Sequence, residues 1–359
     1  MALLQSRQLL LLLLLPLSHG AESPSRMPAL LATGPAQRGL AEAAVPELGM
    51  LHEKFRGLPD SCEVLLRVKA SSVNPADRET PGPFPQVMGS DIAAVVEAVQ
   101  PNCTRLQVGD LVWADIGAVV QTPGGKGKEN GAYAPFAVAL ESQLGPMPNV
   151  SVWEAAALPK VSLTSYKALK WYGGAPYAPN MTVLVLGGSG GCGSTGIQLA
   201  KAWGAGTLIA TTSAENELYV RGLGADRVLD YRSQNWWEVL PKGAVDVIYD
   251  TVGEAGTGDR AVALLREGGY YVTITGALPQ QPRPNVKASM FINSATNLDN
   301  LQLLEELRDL VDRGLLRMPE MRRYELADIL EAFNASATHH VRGKLVIDMT
   351  RSSQSALTV

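Results

Sequence analysis

The chain has 359 residues, 46% of them hydrophobic and 18% charged, with a formal net charge of −4 and a pI near 5.7. That length and apolar content suffice for a buried core divided between two domains. The acidic balance, without clustered Lys or Arg, excludes a general attraction to nucleic acid, whose phosphates demand such clusters.

The first residues differ from the rest. Arg7 and the free amine precede seven leucines, Leu9–Leu15, followed by Pro16, Leu17 and Ser18-His19-Gly20. An apolar run this short falls far below the roughly 20 residues that span a bilayer. The order is that of a secretory signal peptide over 1–20, with cleavage predicted after Gly20 or Ala21. A signal anchor, or an upstream start that is not the true one, are the other readings. No later stretch resembles a transmembrane helix, so no membrane span is expected once the leader is removed. The expected location is the secretory pathway, as an ER resident or a secreted protein. Asn102, Asn149, Asn180 and Asn334 each head an Asn-x-Ser/Thr triplet, which is compatible with an ER passage although such triplets also arise by chance. Of the three cysteines, Cys62 and Cys103 could pair, but an odd count makes no disulfide framework.

Met27–Gly34 opens the folded part. Residues 63–73 and 91–99 are β-rich runs separated by the Pro/Gly-dense 74–89, and Val108–Trp113 reads as a further strand after a tight turn. Short strands punctuated by Gly and Pro predict a partly open β-barrel up to about residue 150. The pattern then changes. Thr182–Leu186 is a fully apolar strand, followed by a glycine turn and a helical run at Ser194–Trp203. Thr207–Thr211, Val245–Tyr249 and Tyr270–Thr275 are strand-like and alternate with helical runs at 214–223 and 259–267. Such alternation predicts an α/β unit with a parallel, doubly wound sheet. Leu301–Asp312 and Glu325–Phe333 read as amphipathic helices and Lys344–Ile347 as a closing strand, before a loose tail over 351–359.

Between the apolar strand and its helix lies Gly187-Gly-Ser-Gly-Gly-Cys-Gly193, with G-x-G-x-x-G at Gly188, Gly190 and Gly193. The strand before and the helix after supply the context that a dinucleotide site requires. Gly188 is expected to allow the tight turn, Gly190 the approach of a pyrophosphate, and Gly193 the close packing of helix on strand. Ser189, Gly191 and Cys192 complete the predicted cradle, where helix N–H groups and the helix dipole favour phosphate. A Gly-rich turn without a ligand is the alternative. About 20 residues on, the second strand ends at Thr211-Thr212-Ser213. NAD-preferring sites place Asp or Glu there to hold the ribose 2′-OH; here the first carboxylate, Glu215, comes two residues late. A hydroxyl-rich strand end tolerates a 2′-phosphate, so NADP(H) is expected over NAD(H), with Ser213 beside it. Cys192 stands at a helix N-terminus, where a thiol pKa tends to fall. It is read as a small apolar filler beneath the loop, with a redox switch as the other possibility.

Taken together, these residues resemble the medium-chain dehydrogenase/reductase superfamily, in the branch of zinc-free quinone oxidoreductases and enoyl reductases. The markers run from about Met27 to Asp348: VKASSVNPAD at 68–77, VMGSD at 87–91, VGDLVW at 108–113, GAYAPF at 131–136, ALPKVSLTSYKAL at 157–169, the glycine motif, LGADRVLDYR at 223–232 and VRGKLVI at 341–347. The resemblance implies a GroES-like catalytic domain over 27–155, completed by 318–350, and a Rossmann domain over 156–317 with the cofactor in the cleft. It implies that Asn74 contacts the nicotinamide region, where its amide could hold the carboxamide or a developing enolate oxygen. It also places Thr164 near the cofactor, Tyr231 at the adenine ribose phosphate and Lys344 near the cleft. Turn capping by Asn74 and Asp77, and a solvated strand end at Lys344, are the bland alternatives.

Three departures from the pattern matter. Gly89-Ser90-Asp91 stands where the metal-dependent branch has Gly-His-Glu, and no cysteine lobe lies within 114–135, so no zinc is expected. Asn216 stands where NADPH-preferring relatives often carry Lys, leaving Ser213, Tyr231 and Arg232 for the phosphate. Residues 78–86 are short and lack a Tyr over the substrate, so the proton donor is unassigned. The expected activity is zinc-independent hydride transfer from NADPH to a quinone or α,β-unsaturated carbonyl, in a protein that could form a homodimer. The alternative is a cofactor-binding redox-sensing or scaffolding protein.

Overall fold

The computed structural model describes residues 25–49, 62–78, 84–117, 119–122, 125–128 and 131–351. The leader over 1–20, the tail after 351 and much of the short stretch 78–86 lie outside them. The N-terminal part is built from β1 (Arg26–Gly34), β2 (Gln37–Ala44), β3 (Glu63–Ser72), β4 (Gln86–Val87), β5 (Asp91–Val99), β6 (Leu111–Asp115), β7 (Val119–Thr122), β8 (Gly125–Lys128), β9 (Phe136–Leu140) and β10 (Gly145–Pro146). One sheet runs β10-β6-β5-β3 and continues through two strands from the far end of the chain, with β9 also paired to β3. The hairpin of β1 and β2, with β4 on its other side, forms a second sheet. The sheets do not close into a barrel.

Helices α1 (Val152–Ala157) and α2 (Pro159–Lys167) lead into the second part. There β11 (Thr182–Leu186), α3 (Gly191–Ala202), β12 (Thr207–Thr212), α4 (Glu217–Gly222), β13 (Arg227–Asp230), α5 (Trp236–Val239), β14 (Val245–Asp250), α6 (Thr257–Leu264), β15 (Leu265–Thr273) and β16 (Lys287–Met290) succeed one another. The strand order β13-β12-β11-β14-β15-β16 is all parallel and is the Rossmann order, which reverses direction between β11 and β14. A sheet covered on both faces demands unbroken apolar strands. Val183, Leu184, Val185, Val247 and Ile248 are accordingly fully buried, each such side chain contributing about 1.5–3 kcal/mol. α7 (Asn300–Asp312), β17 (Met321–Glu325), α8 (Ile329–Ala337) and β18 (Lys344–Asp348) complete the chain. β18 pairs antiparallel with β3, so the C-terminus returns to the N-terminal sheet.

Three details differ from the sequence expectation. The strand expected from Val108 begins at Leu111, because Gly109 adopts φ +96° in a turn that leaves Val108 exposed. The helix read over 259–267 stops at Leu264. Leu265 already pairs with Val245, and a register shift follows before Tyr270 pairs near Val247, so an exposed bulge hides the strand pattern. The glycine-turn helix starts at Gly191, three residues before the periodic run suggests. Cys62 and Cys103 are joined by a disulfide that ties the head of β3 to the loop after β5.

Candidate functional site

The chain turns sharply from β11 into α3 at the point where the strand order reverses, which is where open α/β sheets bind ligands. The tight turn belongs to Gly187 and not, as the motif suggested, to Gly188. Gly187 has φ +79°, and a Cβ there would lie 2.7 Å from Thr251 Oγ1. Gly188 is instead a close-packing residue, its missing Cβ facing Ala210 and Ile197 at 3.0 Å. Gly193 fulfils the expected role: a Cβ would sit 2.1 Å from the Gly187 carbonyl oxygen. Gly190 is the open position, with φ −77° and nothing nearer its absent side chain than that carbonyl at 3.6 Å. The first N–H groups of α3 have no intrahelical acceptor.

Gly187 and Gly190, but not Gly188 or Gly193, line a cavity of about 520 Å³ that continues past Ser189 and Thr211 to Ser213, Tyr231 and the tryptophan pair Trp236 and Trp237. Thr212 lines it too, and its buried Oγ1 has no hydrogen-bond partner. A cavity at the strand reversal, a glycine-rich turn and an orphaned hydroxyl fit a dinucleotide. At the far corner Ser213 Oγ accepts a 3.1 Å bond from Asn216 Nδ2. Arg232 holds Glu215 at 3.0 Å with both side chains half exposed, so the guanidinium stands beside Ser213 and Tyr231.

Thr164, on α2, is buried away from this cavity and accepts a 3.2 Å hydrogen bond from the Asn293 N–H. Asn74 and Lys344 belong to a buried polar cluster where the N-terminal sheet meets the second part. Asn74 Nδ2 donates to Asp91 Oδ2 at 2.8 Å and to Ser90 Oγ at 3.3 Å, while its Oδ1 accepts from Lys344 Nζ at 2.7 Å. Both ends of the amide are thus engaged. Asp77 accepts from the Asn74 N–H, Ser90 and Tyr133, so the turn-capping role read for Asn74 and Asp77 is real and coexists with the cluster. Lys344 is not a solvated strand end. It is 4% exposed, bonded to Val73 O and 3.5 Å from Asp91, and its methylenes run 3.0 Å beneath the absent Cβ of Gly191. The N–H of Gly343 donates to Ser189 O, so the C-terminal segment pins the glycine turn directly.

Sequence reasoning missed Asp91, Asp115, Lys160 and Asn293. Lys160 Nζ lies 2.7 Å from Asp115, its backbone N–H donates to Asp91, and Asn293 Nδ2 donates to Asp115 at 2.9 Å. Burial works against the Lys160 ammonium, but the carboxylates of Asp115, Asp77 and Asp91 outweigh it and raise its pKa. The available signal was the carboxylate at the head of β5 and at the end of β6, each interrupting an apolar run.

Cys192 overturns the expectation of a depressed thiol pKa. Burial pushes the thiol up to about 11, against the opposing pull of Lys344 and a hydrogen bond from Tyr249. The helix N-terminus cannot compensate, because desolvation penalises the thiolate more than the dipole favours it. Among the described residues zinc finds no fitting donor set. The cluster offers oxygen and ammonium groups, and among the described residues the one Cys-containing group with ligand spacing is Cys62, Cys103 and Glu141, whose cysteines are bridged.

A GroES-like sheet joined to a Rossmann sheet, with a glycine-rich turn at the strand reversal, is the architecture of a nicotinamide-dependent oxidoreductase. The alcohol dehydrogenase GroES-like domain family matches residues 60–149 and the zinc-binding dehydrogenase family matches residues 223–347. The chain is 32% identical over 298 residues to a 2-methylene-furan-3-one reductase of Solanum lycopersicum, covering 79% of this chain and 71% of that protein. It is 31% identical to a chloroplastic NADPH-dependent alkenal/one oxidoreductase of Arabidopsis thaliana, covering 79% and 72%. The quinone oxidoreductase from Coxiella burnetii superposes with a TM-score of 0.72 at 26% identity, covering 90% of this chain and 99% of that one. The chain belongs to the medium-chain dehydrogenase/reductase superfamily, in its quinone oxidoreductase-like branch, and is an NAD(P)H-dependent oxidoreductase of that class. Among the described residues no helix is long and apolar enough to cross a membrane.

Proposed function

We propose that this enzyme reduces quinones or α,β-unsaturated carbonyls with NADPH, without zinc, after delivery to the secretory pathway. The observation that carries the reading is the cavity running from Gly190 to Ser213, which has hydroxyls and Arg232 at its far corner and no carboxylate on the strand end itself. When bound, the nicotinamide supplies the hydride, and the protein orients it and excludes water. Ser189, Gly190 and the first N–H groups of α3 would hold the pyrophosphate, and Ser213, Tyr231 and Arg232 the ribose phosphate. Asn74, set by Lys344 and Asp91, would border the nicotinamide end. The likeness to the alkenal/one oxidoreductase and the quinone oxidoreductase supports the substrate class. The Cys62–Cys103 bridge supports an oxidising compartment.

The test is NADPH and NADH oxidation with a quinone and an enone, using chelator-treated protein whose zinc content has been measured. Turnover with NADPH at well below one zinc per chain is expected. Activity that follows zinc content would overturn metal independence. A second reading, a cofactor-binding protein with little catalysis, is favoured by the Asn74 amide, which is bonded at both ends. Tight NADPH binding without turnover would establish it.

A further inference from the structure

We propose that Asn102, Asn149 and Asn180 carry N-linked glycans, an inference that rests on the secretory reading above. The Asn-x-Ser/Thr triplet is an acceptor only where a glycosylation enzyme reaches it and a bulky, hydrated sugar can remain in water, which means a surface loop. All three asparagines are exposed and stand in turns. Asn102 lies in the turn after β5, Asn149 in the bend before α1 and Asn180 in the turn before β11. The middle and following residues contain no proline: Cys103-Thr104, Val150-Ser151 and Met181-Thr182. None of the three side-chain amides makes a hydrogen bond among the described residues; the Asn149 contact to Asp312 is made by its backbone N–H. A sugar on any of them would displace no native contact.

Three further observations agree. None of these residues lines the dinucleotide cavity, so the sugars would leave the cofactor path open. Asn102 directly precedes Cys103 of the disulfide, which places one acceptor beside a bond that forms in the same oxidising compartment. The three turns follow β5, precede α1 and precede β11, whereas the two edge strands of the parallel sheet, β13 and β16, carry no acceptor. Asn334 is excluded from the proposal. It sits within α8, and the hydroxyl-bearing Ser336 of its triplet is buried.

The experiment expresses the full chain in eukaryotic cells and maps its peptides after enzymatic removal of N-glycans, which converts each modified asparagine to aspartate. The N-terminal peptide is read in the same digest. A mature chain starting near Ala21 with aspartate at 102, 149 and 180 supports the proposal. A cleaved leader with all three asparagines unconverted overturns it and leaves the targeting intact. An uncleaved leader with unconverted asparagines overturns the targeting and the proposal together. A variant carrying Asn102→Gln, Asn149→Gln and Asn180→Gln is expected to lose the whole glycan mass and to keep dinucleotide affinity unchanged.

Discussion

The Lys344 ammonium lies 2.7 Å from the Asn74 amide oxygen, joining residues 270 positions apart in the chain. The same nitrogen approaches Asp91 and Val73 O, while the lysine stem lies under Gly191 of the glycine turn. One side chain therefore supplies positive charge beside Asp91 and supports the glycine turn. Removing one member of a buried ion pair leaves an uncompensated charge, at a cost of about 3–5 kcal/mol. Lys344→Met is expected to lose about that much in denaturant unfolding and to weaken dinucleotide binding as well. Unchanged stability would show that the cluster is not held together by this charge.

Gly190→Val and Gly193→Ala separate binding from folding. The side chain at 190 would enter open space and block the approach of the pyrophosphate. Losing several charge-assisted hydrogen bonds, each about 1.5–3 kcal/mol, should weaken binding by orders of magnitude with the melting temperature preserved. The methyl at 193 would collide with the Gly187 carbonyl at 2.1 Å and should cost about 1–3 kcal/mol of stability. Tryptophan fluorescence reads binding directly, because Trp236 and Trp237 line the cavity. An equal effect of both variants on melting would refute the division of roles.

Ser213→Asp tests cofactor choice. A carboxylate beside Arg232 and Tyr231 would repel a 2′-phosphate and accept a ribose hydroxyl. NADPH affinity is expected to fall at least about tenfold, the equivalent of about 1.4 kcal/mol, while NADH affinity holds or rises. A parallel loss for both cofactors would place the ribose elsewhere.

Cys192 should be inert at neutral pH. Its thiol is raised from 9.0 to about 11 by burial, so the folded state favours the protonated form. The stabilisation is present in full below about pH 9 and fades as pH rises towards 11. The stability difference between the parent protein and Cys192→Ala should be flat from pH 6 to about 8.5, near the thiol's unperturbed pKa, and shrink above it. Rapid reaction with a disulfide reagent at pH 7, without unfolding, would mean that the thiol is exposed.

Cys62 and Cys103 close a loop across 41 positions. In the chain-entropy picture a loop of this length is worth about 4 kcal/mol. Reduction, or Cys62→Ser with Cys103→Ser, is expected to lower the stability of the N-terminal sheet by a comparable amount, and mass analysis without reductant should find the bridged peptides. Unbridged cysteines in protein recovered from an oxidising compartment would contradict the pairing.

The sequence by itself determined the elements whose pattern is local. The apolar run Thr182–Leu186 reads as a buried strand, and the seven residues with five glycines after it read as a tight turn into a helix. The family markers then followed in order. What sequence could not assign was any role that depends on a partner distant in the chain. Gly187 carries the turn because its φ is +79° and Thr251 and Val252 crowd it from the loop after β14, and Gly188 is reserved for packing by Ala210 and Ile197. Cys192 sits at a helix start, yet its thiol answers to burial among Tyr249, Ser165 and neighbouring groups. Lys344 reads as a strand end until β18 pairs with β3 and carries it into the cluster of Asp91 and Asn74. Periodicity reports a residue's own element, whereas desolvation and charge pairing are set by whatever the fold packs against it, and only the tertiary structure decides that.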